Sequence, residues 1–240
     1  MSAAETAGFS GLLALHQRLL RRPDAGSVSG LLPATLRRSA ADLHPSLAAL
    51  APYRPVADAD LRPLLEAQDL DDLTDASLDA VLLTIVRSEG PIHLDVLMAR
   101  LLAQVSQSRS SARLQQRLRA RLQTLSEDGE KLRLEGEFSA LPPQWQTPPY
   151  RDWRSQTERL RRLEHVHDRE LMQALWRVVD EGQDLEIDRV LNDGLHRIGF
   201  VRLTSKARQR LAAPLAALLE TNFLIDREGT LRLGPESFRR

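Results

Sequence analysis

The sequence contains no cysteine, which excludes disulfides and thiolate metal centres and suits a reducing compartment. Aromatic residues make up only 4% of the 240-residue chain, so its core must be built from aliphatic side chains, and the abundance of Leu, Ala and Arg favours helices. Neither sign of charge is in excess. The 33 basic and 33 acidic side chains cancel, which argues against indiscriminate coating of a polyanion but leaves a local charged face open. Apolar runs never approach the roughly 20 residues of a membrane helix. The opening MSAAETAGFSGLLALHQRLL has no basic stretch ahead of its apolar part and reads as an amphipathic helix rather than a secretion signal. A cytoplasmic location with no membrane partner is expected. Phosphate-binding glycine loops and nucleophile elbows are missing too, and no carboxylate stands in a recognisable order with a base. No catalytic residue, cofactor or metal is therefore expected, and the chain reads as a non-enzyme.

What is present is an internal repeat. Laid over itself at an offset of 93 residues, the chain places Ile92 on Leu185, Asp95 on Asp188, Leu102 on Leu195 and Val105 on Ile198. Further along, Arg109 meets Arg202, Arg113 meets Lys206, Leu118 meets Leu211, Gly136 meets Gly229 and Pro142 meets Pro235. Each copy follows one grammar. An apolar helix (Leu78 to Arg87; Leu171 to Val179) stops at Glu-Gly, where glycine tolerates a left-handed cap. A short extended piece and a second helix follow, the latter with Asp95 or Asp188 in its first turn. Ser108 to Ser111, or Thr204-Ser205, caps a third helix, and two short strands about a Glu-Gly turn close the copy. Helix, strand, helix, helix, hairpin is the order of a winged helix-turn-helix, with the third helix as its reading element. The expected fold is mainly α with small β hairpins. Its tandem winged-helix domains would occupy residues 76–142 and 165–240, joined by a Pro/Arg-rich linker at 143–164 and preceded by a helical, acidic region at 1–75. Residues in the linker are expected to be extended first and helical only from Arg154.

The third helix of the first copy concentrates charge. SRSSARLQQRLRARLQ, Ser108 to Gln123, holds Arg109, Arg113, Arg117, Arg119 and Arg121 without an acid. On a helix, Arg109, Arg113, Arg117 and Arg121 form a slowly drifting stripe opposite Leu114, Leu118 and Leu122. Guanidinium groups facing outward from such a helix suit guanine edges and phosphates, although an Arg-rich face can also serve solubility alone. The second copy offers Arg202, Lys206, Arg208 and Arg210, less well aligned, and Pro214 is expected to break or kink its helix. Lys131 and Arg133 in the first hairpin, and Arg227 and Arg232 in the second, add weaker candidates that neighbouring acids dilute. His165 and His167 stand two apart with no ligand partner at metal spacing, so a surface or capping role is expected. His93 is expected to be structural. Trp145, Tyr150 and Trp153 could stack on bases or fold the linker onto a domain.

The stretch EGPIHLDVLMARLL, followed by SRSSARLQQRL and LRLEGEF, resembles an uncharacterised domain at the C-terminus of large superfamily 1 helicase-like proteins of bacteria. Glu89, Gly90, Pro91, His93, Ser108, Arg109 and Arg113 carry the likeness. It continues through PPYRDWRSQTERLRRLEHVHDRELMQAL and GLHRIGFVRLTSKARQRL, covering roughly residues 76–235. The resemblance implies a winged-helix-like appendage to DNA-processing or defence enzymes. This chain has no helicase motor or nuclease, so such activity would come from a partner.

The leading expectation is a non-enzymatic protein that binds duplex or single-stranded DNA, in repair, defence or chromosome maintenance. Its DNA contacts would be Arg109, Arg113, Arg117, Arg119, Arg121, Lys131, Arg133, Arg202, Lys206, Arg208 and Arg210. A helicase, nuclease or ATPase partner and a homodimer are compatible with it. Two alternatives stand beside it: a scaffold subunit docking on a DNA-processing ATPase, and a transcriptional regulator.

Overall fold

The computed structural model describes residues 50–65, 70–104, 111–127, 129–146 and 149–238. The chain is mainly helical with small sheets, and it divides into two units. The first comprises Pro52–Pro149 and Ser155–His167; the second takes Tyr150–Arg154 and the chain from Asp168 onward. Most of the acidic N-terminal region, residues 1–49, lies outside the described residues.

In the first unit, α1 (Asp58–Leu65) and α2 (Asp75–Glu89) precede strand β1 (Ile92–His93), α3 (Leu94–Ala103) and α4 (Ala112–Ser126). Strands β2 (Arg133–Glu135) and β3 (Phe138–Ala140) and the short α5 (Pro142–Gln146) follow. Strand β3 lies between β1 and β2, antiparallel to both. Thr74 opens α2 by accepting from the Ser77 N–H at 3.1 Å, and Ser111 opens α4 by accepting from Leu114 N–H at 3.0 Å; each side chain satisfies a donor that has no partner within its helix. Leu78, Leu82 and Ile85 of α2, Val96, Leu97 and Leu101 of α3, and Leu114 and Leu118 of α4 meet in one core. Val56, Leu61, Leu65, Leu70 and Leu73 belong to that same core. Residues 56–65 and 70–73 of the acidic N-terminal region therefore pack on the helices that follow them.

The second unit repeats the order: α6 (Asp168–Gly182), β4 (Leu185–Glu186), α7 (Ile187–Arg197), α8 (Ser205–Glu220), β5 (Leu224–Arg227) and β6 (Thr230–Leu233). Its sheet has the same arrangement, with β6 between β4 and β5. The 93-residue register holds from β1 onto β4 and from the start of α4 onto the start of α8, then slips by one at the hairpin. The first turn is Gly136–Glu137 and the second Glu228–Gly229, so the shared Glu-Gly pair sits at different turn positions. Gly136 alone has a positive φ (59°) in the first turn, whereas both Glu228 (56°) and Gly229 (87°) do in the second.

Three local expectations are corrected. Gly90 is extended rather than left-handed (φ −66°, ψ 148°). A glycine is needed there because a Cβ would lie 2.3 Å from Gln144 Oε1 and 2.7 Å from the Val86 carbonyl oxygen. The helix α8 runs through Pro214 without ending. Its buried residues Leu211, Leu215 and Leu218 hold the flanking turns against α6 and β5, which outweighs the one hydrogen bond that proline removes. In the expected linker, the helix comes first, at Pro142–Gln146, and Trp153–Ser155 forms only a 3-10 turn. Trp145, Tyr150 and Trp153 are all buried, so the rings that might have stacked on bases pack inside instead.

Candidate functional site

Helix α4 buries Leu114, Leu118, Leu122 and Leu125. Its exposed positions are Ala112, Arg113, Gln115, Gln116, Arg119, Ala120, Gln123 and Thr124, a mostly polar face without a carboxylate. The arginine stripe does not face outward along its length. Residues four apart advance by 400° on a helix, so each step drifts about 40°. By Arg117 and Arg121 the stripe has turned toward the flank where α2 begins.

There the two side chains meet acids that no local reading of the helix reveals. Arg117 donates to the carbonyl oxygens of Leu70, Asp71 and Leu73, and to Asp75 Oδ1 at 2.8 Å. Arg121 grips Asp79 through Nε (2.8 Å) and a terminal nitrogen, and reaches Asp75 Oδ2 at 3.3 Å. The hydrogen bond from Arg117 holds the Asp75 carboxyl below the usual carboxylate range. These two arginines brace α4 against the start of α2, and among the described residues only Arg113 and Arg119 of the expected helix contacts stand on its exposed face. Arg119 is shared with Glu137, donating to both carboxylate oxygens at 2.8 Å. Lys131 and Arg133 in and beside β2 are exposed. Arg109 lies outside the described residues.

The second unit distributes its charges differently. Arg202 and Lys206 are exposed, but Arg208 pairs with Asp188 of α7 and Arg210 with Asp168 of α6. From Leu211 to Leu218, every position of α8 except Ala213 is buried. Only its first two turns are open.

A cluster of rings in the first unit was not expected as such. His165 and His167 are each only 4% exposed, which corrects their assignment to a surface role. The His167 ring meets Phe138 and Trp145 edge-on, with centroids 4.8 and 4.9 Å away. His165 lies 4.8 Å from the His93 ring. Its Nδ1 is 2.8 Å from the Leu160 carbonyl oxygen, leaving Nε2 3.6 Å from Asp95 Oδ2. His93, Asp95 and His165 bring potential ligand atoms within 4.8 Å of one another. His93 Nδ1 already accepts from the Asp95 N–H at 3.1 Å, capping α3. A cation would have to take that lone pair from the cap.

Burial, and next the neighbouring His165, hold His93 below its ordinary value of 6.5, against the opposing pull of Asp95 and Glu137; Arg119 adds to the lowering. The sign of the linkage follows. Above pH 6.5 both folded and unfolded chains carry a neutral ring. As pH falls below it, the unfolded chain takes up a proton that folded His93 resists, so stability drops until the folded value is passed. The loss is at most about 1.4 kcal/mol per pH unit for one proton. His93→Asn keeps an N-cap oxygen and should flatten this part of the curve. Urea unfolding at pH 7.5 and 5.5 checks it: an equal pH 7.5-to-5.5 loss in wild type and variant would show that His93 does not contribute.

Residues 69–116 match the model of a family described as "Protein of unknown function (DUF3320)". The matched stretch takes in Glu89, Gly90, Pro91, His93, Ser108, Arg109 and Arg113. Neither the curated proteins nor the solved structures contain a match to this chain.

Proposed function

We propose that the chain is a non-enzymatic DNA-binding protein built from two winged helix-turn-helix modules, of which the first makes the contact. The observation that carries this reading is the exposed face of α4, where Arg113, Gln116, Arg119 and Gln123 stand with no acid on the helix. In a helix–strand–helix–helix–hairpin module the third helix is the one that enters a groove, and Arg and Gln are suited to guanine and adenine edges. Lys131 and Arg133 flank it as phosphate contacts. The second module has Arg208 and Arg210 in ion pairs and its α8 largely buried from Leu211 to Leu218, so it serves chiefly as a support. The likeness to a domain of helicase-like proteins fits a role beside a partner that supplies the enzymatic step.

With Arg113, Arg119, Lys131 and Arg133 as four phosphate contacts, log K should fall against log salt with a slope of about −3.6. Arg113→Ala with Arg119→Ala should make that slope shallower by about 2, as read by fluorescence anisotropy on a duplex across a salt series. A wild-type slope near zero would overturn the reading. A second reading, a scaffold that docks on a DNA-processing ATPase, is favoured by one observation. Arg117 and Arg121 are already neutralised by Asp75 and Asp79. It predicts a stable co-purifying ATPase and no duplex binding at moderate salt.

A further inference from the structure

The first unit holds a cavity of about 460 Å³ beside α3 and α4, within the range of small-molecule sites. Leu94, Met98 and Leu102 of α3 give it an apolar wall, and Arg119, Arg159 and Arg162 line it as well. Arg117, Arg121, Arg151, Arg208 and Arg210 all make ion pairs, whereas Arg159 and Arg162 make none among the described residues. Arg159 and Arg162, neither in an ion pair, and Arg119, shared with Glu137, thus line one concave surface. Asp95, which also lines the cavity, subtracts one charge and faces the buried His165.

We propose that this cavity binds a nucleotide through its phosphomonoester, with the base against the apolar wall. The lining carries three arginines against one aspartate, and with Arg119 paired to Glu137 the positive charge left for a ligand is chiefly that of Arg159 and Arg162. A phosphomonoester carries about −1.5 to −2 at pH 7, so it matches better than the single charge of a phosphodiester. Arginine's planar fork grips such an oxygen pair in bidentate fashion. The phosphate has two sources of the same chemistry, the terminus of a DNA strand or a free nucleotide. The strand terminus rests on the reading of α4 given above. Gln115 and Arg119 belong both to the exposed face of α4 and to the cavity lining, so a strand lying on that helix would deliver its end there.

The test uses the whole chain and fluorescence anisotropy. Probes are a DNA strand with a terminal phosphate at either end, the same strand with hydroxyl ends, and a dumbbell duplex without ends; dAMP and inorganic phosphate serve as competitors. The phosphorylated strand should bind about tenfold tighter than the hydroxyl strand. Arg159→Ala with Arg162→Ala, both exposed positions, should erase that difference while leaving the dumbbell unaffected. Arg113→Ala should weaken all the DNA probes together. Competition by dAMP against a strand with no end preference assigns the cavity to a free nucleotide. Equal binding of the two strands with no competition by dAMP overturns the proposal, whatever the dumbbell does. If the phosphorylated strand or dAMP binds and the dumbbell does not, the cavity stands and the reading of α4 falls.

Discussion

Glu89→Ala is expected to lower the apparent melting temperature by roughly 10 °C. The Glu89 side chain is fully buried and accepts from two separate parts of the chain, the stretch before α1 and helix α3. Tyr53 Oη–H donates at 2.8 Å, Val56 N–H at 2.9 Å, and Arg100 Nε at 2.9 and 3.0 Å to its two oxygens. Truncation removes the acceptor that Glu89 offers to a largely buried guanidinium Nε–H, a hydroxyl and an amide. Breaking a buried pair from one side costs about 3–5 kcal/mol, and each kcal/mol is worth about 2–4 °C in a chain of this size. The effect should reach the candidate cavity. Arg100 also donates to Gln156 Oε1 at 2.6 Å, and Gln156 begins the segment that carries Arg159, Arg162 and His165. Preference for a terminal phosphate should therefore fall even at temperatures where Glu89→Ala stays folded. Glu89→Gln, which keeps an acceptor for Tyr53, should lie between. A Glu89→Ala melt within about 2 °C of wild type would show that this node does not hold the segment in place.

The repeat, the helices and the hairpins were legible because each rests on local pattern: leucines at helical spacing, Ser111 and Thr204 at helix starts, glycines at turns. The role of Glu89 was not. It resembles the start of a glycine stop until Tyr53, Val56 and Arg100 arrive from 36, 33 and 11 residues away. The arginine stripe shows the same limit from the other side. Arg117 and Arg121 lie in a run without acids, yet their partners Asp75 and Asp79 lie 42 residues earlier on α2. Chain-local charge patterning cannot distinguish an arginine aimed at solvent from one aimed at a neighbouring helix. The position of residues 155–165 is hidden from the sequence for a related reason. Their composition is that of a linker, and only tertiary contacts, Ser155 Oγ–H to the Tyr53 carbonyl oxygen (2.8 Å) and Arg100 to Gln156, fold them back into the first unit. That return brings Arg159 and Arg162 beside α3 and α4, so the cavity had no signature in either stretch of sequence taken alone.

In the second unit the expected loss is of similar size and a different remedy distinguishes its cause. Glu170 is buried and accepts from the Arg151 N–H (3.0 Å), from Arg151 Nε (3.2 Å to each oxygen) and a terminal nitrogen (2.7 Å), and from Trp153 Nε1 (3.1 Å). The Arg151 guanidinium also sits over the Trp153 ring, 5.3 Å from its centroid. Glu170→Ala should cost about 3–5 kcal/mol, because it takes away the carboxylate paired with a buried cation. Replacing both members, Arg151→Met with Glu170→Leu, removes the charges together, and such exchanges of buried pairs are often neutral or stabilising. Here recovery should be incomplete. The amide of residue 151 and the Trp153 indole N–H still lose their acceptor, at about 1–3 kcal/mol each. The double variant is therefore expected to regain about half of the single loss, measured as the shift in urea midpoint with the slope unchanged. Full recovery would mean that Glu170 serves only to neutralise Arg151. No recovery would mean that its work is to accept the two N–H groups, and a single-variant loss below about 1 kcal/mol would exclude both.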